Sequence, residues 1–264
     1  MKRVNARERF EGIIADHRTP LGTFVMSIDP AATAAVATAG VDFVVIDREH
    51  GPNDIISTAN HVRAAEANGI IPIVRVLAND PTQIQATLDV GAHGIIVPKI
   101  GTAEQAAAAL AATRYQAGGR GMCPGTEGAR WSSGDGWFAH RKSSNENVLL
   151  IPLIETREGV QNLAEILAID GIDYVFFGLG DLSQELDLPG SMFTPESIKE
   201  LVRIWDEAAA TVHAAGKRIG AMAGYGFNGL DFGTIEADFG LLTARLRSEL
   251  ESLRASEKPI STRR

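Results

Sequence analysis

Two apolar runs in this chain stop on a carboxylate. IPLIETREG leads to Glu155, and YVFFGLGDLS leads to Asp181. An apolar run buries both faces of a strand, so the residues just after it emerge at the carboxyl edge of a parallel sheet, where α/β enzymes place their chemistry. Two such carboxylates on consecutive strands can face one divalent cation. A hard cation takes oxygen ligands and keeps water positions that a substrate can replace. The expected chemistry is a metal site, open on one side, with Glu155 and Asp181 as protein ligands.

Other chemistry-bearing residues also stand at strand ends. Asp47, Glu49 and His50 lie in VVIDREHGPND. Strand alternation and the turn cannot put all three in one pocket, which favours Asp47 and His50 there, with Glu49 directed toward a neighbouring helix or turn. A His beside an Asp is a base with its orienting carboxylate, since the carboxylate fixes the tautomer and raises basicity. A salt-bridged structural His at a strand end reads equally well. Arg75, in VRVLANDP, needs an acidic partner or an anionic ligand, because a buried unpaired guanidinium is very costly. Asp47 and Asp80 are the candidate partners. Lys99 in VPKI would serve as a Schiff-base lysine only if desolvated, and nearby carboxylates would instead hold it as ammonium. The glycines of GAMAGYGFNGLDFG (220–233) lie where many barrels bind phosphate, but no Lys or Arg accompanies them, and tight turns explain them as well. Cys123 has no His at a suggestive spacing and reads as an inert loop residue.

Apolar strand-like runs alternate with amphipathic or Ala-rich runs, the pattern of βα units around a parallel sheet. Strands are expected at 23–28, 42–47, 71–76, 94–100, 148–155, 173–179, 218–224 and, as DFGLLT, 238–243. Helices are expected at 53–69, 80–91, 103–114, 157–168 and 195–216. Several helices begin with Asn, Asp or Thr, often followed by Pro, and several end in Gly. Eight strands with helices between them make an α/β fold, a (β/α)8 TIM barrel, in a single domain over 1–264. Residues 115–147 interrupt the rhythm as a long Gly-rich and polar loop. Such a loop must fold around the barrel edge or join a subunit contact, and its Trp131, Trp137 and Phe138 favour packing over free solvent. Residues 255–264 read as a flexible, mildly basic tail.

The 264 residues carry 45% hydrophobic and 22% charged residues, so disorder is not expected. A net charge of −8, with no basic stripe, argues against nucleic acid as a partner. One cysteine excludes an internal disulfide framework and fits a reducing cytoplasm. MKRVNARERFEG does not read as a secretory signal, and no run approaches the ~20 apolar residues that span a bilayer.

DFVVIDREHGPND, PIVRVLANDPTQIQATLDVGAHGIIVPKI, RGMCPGTEGAR and IETREGVQNLAEILAIDGIDYVFFGLGDLS together resemble the HpcH/HpaI family of class II, metal-dependent pyruvate aldolases, from about residue 20 to 190. The resemblance implies a (β/α)8 barrel, a divalent metal (Mg²⁺, Mn²⁺ or Co²⁺), a 2-oxo acid and an aldehyde as small-molecule partners, and a homo-oligomer. That oligomer would be a hexamer or trimer of dimers, with a swapped C-terminal helix. By the same resemblance Glu155 and Asp181 are the metal ligands, Arg75 binds the keto oxygen and stabilises the enolate, and His50 and Asp47 are the base and its partner. Backbone around Gly180 and Asp181 would hold the pyruvate carboxylate. The chain departs from the family pattern at Leu153, a substrate-contacting position where Gln is frequent, at Arg48, where a small or apolar residue is common, and at Leu179, where Pro is common. Its last strand and helix read as shortened. These departures bear on substrate identity more than on the chemistry.

The expected reaction is cleavage or formation of 4-hydroxy-2-oxo acids through a pyruvate enolate. The alternatives are a related enolate-forming lyase or synthase, an oxaloacetate decarboxylase, or a catalytically silent metabolite-binding barrel.

Overall fold

The computed structural model describes residues 5–132, 135–189 and 194–256. Eight strands, β1 (Leu21–Val25), β2 (Phe43–Asp47), β3 (Ile71–Arg75), β4 (Gly94–Val97), β5 (Leu149–Ile154), β6 (Tyr174–Phe177), β7 (Arg218–Met222) and β8 (Phe232–Ala237), pair in parallel in chain order and close into a barrel. The helices outside or capping it are α1 (Ala6–Ala15), α2 (Ala31–Thr38), α3 (Ile55–Ala67), α4 (Pro81–Asp89), α5 (Ala103–Thr113), α6 (Asp135–Asn147), α7 (Arg157–Gln161), α8 (Leu163–Leu167), α9 (Leu179–Glu185), α10 (Pro195–Ala214) and α11 (Asp238–Ser256). The expected (β/α)8 barrel in a single domain is the fold. No helix among the described residues is long and apolar enough to cross a membrane.

Local chemistry starts the helices where the sequence places Asp, Thr and Pro. Asp80 accepts from the amides of Thr82 and Gln83 with Pro81 at the first helical position, and Thr102 forms a reciprocal capping box with Gln105. Strand parity then sorts the side chains. One apolar layer inside the barrel contains Phe43 and Val45, Ile71 and Ile73, Leu149, Ile151 and Leu153, and Tyr174 and Phe176. A second lies between strands and helices. Side chains two apart share a face, so the inward series continue to Asp47 on β2, Arg75 on β3 and Glu155 just past β5. The polar ends of these series meet at the carboxyl mouth.

At the amino mouth α1 closes the barrel. Phe10 is fully buried, with ring centroids 5.2 Å from Phe43, 5.8 Å from Phe232 and 6.1 Å from Tyr174. Glu11 ties the helix down: Tyr174 Oη donates to it at 2.6 Å and Arg218 Nη2 at 2.8 Å. At the closing seam, the Asp238 carboxylate accepts from the amides of Met26 and Ser27, both at 3.1 Å, clipping the end of β8 to the turn after β1.

Several expectations are corrected. The eighth strand is FGTIEA, not DFGLLT, which opens α11. Glu236 breaks the apolar run in the strand, whereas DFGLLT continues into ARLRSELESL with leucines three and four apart, a helical period. Neither terminal element is short: β8 has 6 residues and α11 has 19. The 115–147 stretch is not one loop, since its second half is α6, whose Trp137 packs edge-on against Tyr115 at 5.2 Å. Trp131 and Phe138 are 68% and 64% exposed, so only Trp137 of the three aromatic residues packs within this chain. Of the expected tail, Ala255 and Ser256 belong to α11, and 257–264 lie outside the described residues. The Ala-rich α2 and the short α9 add to the helices expected from the sequence.

Candidate active site

The register of β2 against β3 pairs Asp47 with Arg75 directly. Both side chains point inward, and the guanidinium forks onto the carboxylate, Nε to Oδ1 at 2.9 Å and Nη2 to Oδ2 at 2.7 Å. Arg75 Nη1 also lies 3.3 Å from Glu49 Oε2, and its guanidinium stacks over the Phe24 ring, 4.8 Å from the centroid. Burial works against the Arg75 charge, but the hydrogen bonds and charge of Asp47, with Glu49 and Glu155 nearby, outweigh it and hold the group above its ordinary value. Asp80, the other candidate partner, is committed to capping α4.

The expected Asp47–His50 dyad is corrected. Asp47 is 1% exposed, and its oxygens are taken by the Arg75 fork and by the amides of Glu49 and His50 at 3.0 and 3.4 Å, so it makes no hydrogen bond to the imidazole. Asp47 and His50 both line the cavity as expected, and Glu49 is not on its wall. Glu49 does not turn toward a helix or turn, however. Its carboxylate sits behind Arg75, 3.9 Å from His50 Nε2, making Glu49 the acid nearest the ring. Burial raises the Glu49 pKa, opposed by Arg75 and His50. Residue type and spacing could not reveal this, because the side chain's direction is set by the turn after β2.

Glu155 is 2% exposed. One oxygen accepts the Lys99 amide at 2.8 Å; the other is buried without a hydrogen-bond partner. Burial, with the Glu49 and Asp181 carboxylates adding to it, pushes its pKa up to about 8, against the Lys99 amide and Arg75. Lys99 contributes its backbone: a left-handed φ of 55° goes with that amide contact while its side chain is exposed, which excludes the desolvated amine of a Schiff base. Gly178 is required by the same carboxylate, since a Cβ there would meet Glu155 Oε2 at 2.5 Å.

Asp181 stands in the first turn of α9, half-buried, on the same cavity wall. No group of three or more His, Cys, Asp and Glu among the described residues is arranged to hold a metal ion. A cation here would therefore have Glu155 and Asp181 as protein ligands and take the rest of its shell from water and substrate. The buried, partnerless oxygen of Glu155 among other carboxylates fits that role.

The cavity encloses about 430 Å³. Leu153 and Leu179 line it as buried apolar contacts, alongside Gly180, Gln184, Phe24, Met26, Met222 and Glu236. Arg48 points away from it: Nη1 donates to Thr87 of α4 at 2.9 Å, and burial lowers its pKa. The glycine-rich segment forms turns, with left-handed φ at Gly224, Gly226 and Gly229. Cys123 is free and exposed.

The chain is an enzyme, a carbon–carbon lyase carried on a parallel barrel. It belongs to the HpcH/HpaI aldolase/citrate lyase family, whose model matches residues 21–227. It is 36% identical over 229 residues to the hydroxypyruvate/pyruvate aldolase of Rhizorhabdus wittichii, covering 84% of this chain and 88% of that one. It is 34% identical over 216 residues to the 5-keto-4-deoxy-D-glucarate aldolase of Klebsiella pneumoniae, covering 81% and 82%. A solved HpcH/HpaI aldolase/citrate lyase family protein from Burkholderia cenocepacia superimposes with a TM-score of 0.80 at 29% identity, covering 89% of this chain and 95% of that one.

Proposed function

We propose that the protein is a divalent-metal-dependent aldolase that cleaves, and in reverse forms, 4-hydroxy-2-oxo acids through a pyruvate enolate. The observation that carries this reading is the pairing, at one cavity, of the buried, under-bonded Glu155 with the locked guanidinium of Arg75.

Glu155 and Asp181 would hold Mg²⁺, Mn²⁺ or Co²⁺. When bound, such a cation supplies Lewis-acid stabilisation to the 2-oxo acid. The backbone at Gly180 and Asp181 receives the substrate carboxylate. Arg75, immobilised by Asp47 and Glu49, directs positive charge at the C2 oxygen, where negative charge grows as the C3–C4 bond breaks. A donor fixed in advance stabilises that transition state without reorganising. His50, 55% exposed at the mouth, takes the proton of the C4 hydroxyl and returns it to solvent. The aldehyde departs, and C3 of the enolate is protonated to give pyruvate. Leu153 gives the pyruvate methyl an apolar floor.

We also read the protein as a homo-oligomer. On α11, Phe239, Leu242, Leu246, Leu250 and Leu253 are exposed and fall within an arc of about 80° at helical spacing. An apolar stripe of that kind is covered by another surface.

Loss of the pyruvate methyl signal in D₂O, followed by NMR with Mg²⁺ or Mn²⁺ and with EDTA as control, tests the enolate step without an aldehyde. Exchange that requires metal is expected; exchange insensitive to EDTA, or none with metal bound, contradicts the reading.

A further inference from the structure

We infer that His61, which does not line the cavity, is a positioning residue: its hydrogen bond to Ser27 fixes Met26 as the wall beside the departing aldehyde. The inference rests on the aldolase reading for what departs, and on geometry alone for what is held.

The turn after β1 is gripped at one residue from two distant elements. The Ser27 amide donates to Asp238 Oδ2, at the start of α11, at 3.1 Å. The Ser27 carbonyl accepts from His61 Nε2 of α3 at 2.8 Å. A carbonyl oxygen only accepts, so Nε2 carries the proton. His61 is fully buried, and burial pushes its pKa down against the Ser27 hydrogen bond and the charges of Asp238 and Asp29, so the ring is neutral. Its Nδ1 is then an acceptor, and Thr33 Oγ1 of α2 donates to it at 2.7 Å. That buried hydroxyl fixes the tautomer and aims Nε2 at Ser27.

Packing alone does not call for a histidine here. Its neighbours on α3, Val62 and Ala65, belong to the apolar layer between strands and helices, where a leucine would avoid burying two ring nitrogens. What the imidazole adds is a fixed path for the turn. The register that pairs Val25 with Ile46 brings Met26 opposite Asp47, level with the Arg75 fork. Met26 lines the cavity, and its backbone abuts the turn that carries His50: a Cβ on Gly51 would lie 3.4 Å from the Met26 Cα. His50 serves the C4 hydroxyl in the aldolase reading, so Met26 stands beside the half of the substrate that leaves. Arg75, Glu155 and Asp181 serve the 2-oxo acid, and none of them bonds to His61 among the described hydrogen bonds. A cavity wall is as precise as the side chains that lock it from behind.

The test follows the Met26 methyl signal by NMR of methionine-labelled protein, with Met122 and Met222 as internal controls. Alongside it run pyruvate methyl exchange and aldol addition to glycolaldehyde, propanal and 4-oxobutanoate, scored on whichever the wild-type protein uses best. His61→Leu should shift or broaden the Met26 signal and raise the acceptor KM by about 5- to 10-fold, with pyruvate exchange within about twofold of wild type. His61→Gln, whose amide can donate to Ser27 and accept from Thr33, should restore both. In a Met26→Ala background His61→Leu should add less than about twofold, because its effect runs through that side chain. Thr33→Val removes only the orienting hydroxyl and should act in the same direction, so it decides the matter if His61→Leu does not fold. An unchanged Met26 signal in the folded variants overturns the inference. Equal losses of exchange and addition, or full additivity with Met26→Ala, reduce His61 to a structural residue and overturn it as well. Wild-type exchange with none of the three aldehydes accepted removes the acceptor side of the inference. Absence of wild-type exchange fails the aldolase reading itself, and the Met26 signal then decides the positioning role alone.

Discussion

Arg75 is held from two sides, and its removal should therefore show in two measurements. Arg75→Ala strips the positive charge from the developing enolate and leaves Asp47 buried without its fork. The expected result is a fall in kcat of about 10²- to 10³-fold, with a loss of about 3–5 kcal/mol in unfolding free energy by denaturant titration. Mn²⁺ should still bind in a calorimetric titration, because Glu155 and Asp181 are untouched. Glu155 gives a pH signature. Its folded pKa, about 8, lies above the ordinary carboxylate value of 4.5. The metal-free protein thus binds an extra proton relative to the unfolded chain between those values, and its stability falls as pH rises through that window. Melting temperature without metal should drop from about pH 5 to pH 8, and Glu155→Gln should flatten the drop while abolishing activity. A melting profile equally steep in the variant would assign the slope to another group. These residues were legible from sequence because each ends an apolar strand on a charge, and strand parity aims such a residue into the barrel. Glu49 and Glu236 were not. One depends on the path of a turn, and the other sits in a strand whose apolar pattern it interrupts.

At the scale of elements, the amino mouth carries stability and the carboxyl mouth carries chemistry. α1 contributes Phe10 as the common neighbour of Phe43, Tyr174 and Phe232, drawn from three strands far apart in sequence. Phe10→Ala should cost about 3–5 kcal/mol in denaturant unfolding, while pyruvate exchange at low temperature stays near the wild-type rate because the polar ends lie at the other mouth. A large loss of exchange in a still-folded variant would show that the two ends are coupled. Periodicity revealed seven strands and the longer capped helices, since each combines an apolar period with Asp, Thr or Pro at its start. α6 escaped notice because DGWFAHRKSSNEN is polar over most of its length; its place comes from Trp137 meeting Tyr115, a contact no local pattern encodes. DFGLLT misled for the opposite reason: a short apolar run reads as strand or helix until the residues after it are weighed.

At the scale of the whole molecule, α11 buries none of its residues within the chain, although its sequence has the leucine spacing of a packed helix. Leu246→Glu with Leu250→Glu should lower the assembled mass seen by light scattering, with the barrel's far-ultraviolet dichroism retained. A monomeric wild-type protein would remove the oligomer reading. The number of subunits was not legible in any stripe, because one helix face specifies that it must be covered and not how many copies cover it.

The clip at the barrel seam joins Met26 to Asp238, 212 positions apart. Ribosomes add about 5–20 residues per second, so β1 waits on the order of 10–40 s for its second neighbour after it is made. Throughout that interval the growing sheet has two unpaired edges, and the inward face of β1, Phe24 included, has no barrel to face into. Newly made chains are therefore most exposed to aggregation just before the last strand emerges, and a chaperone that shields hydrophobic surface during synthesis would act on this protein over nearly its whole length.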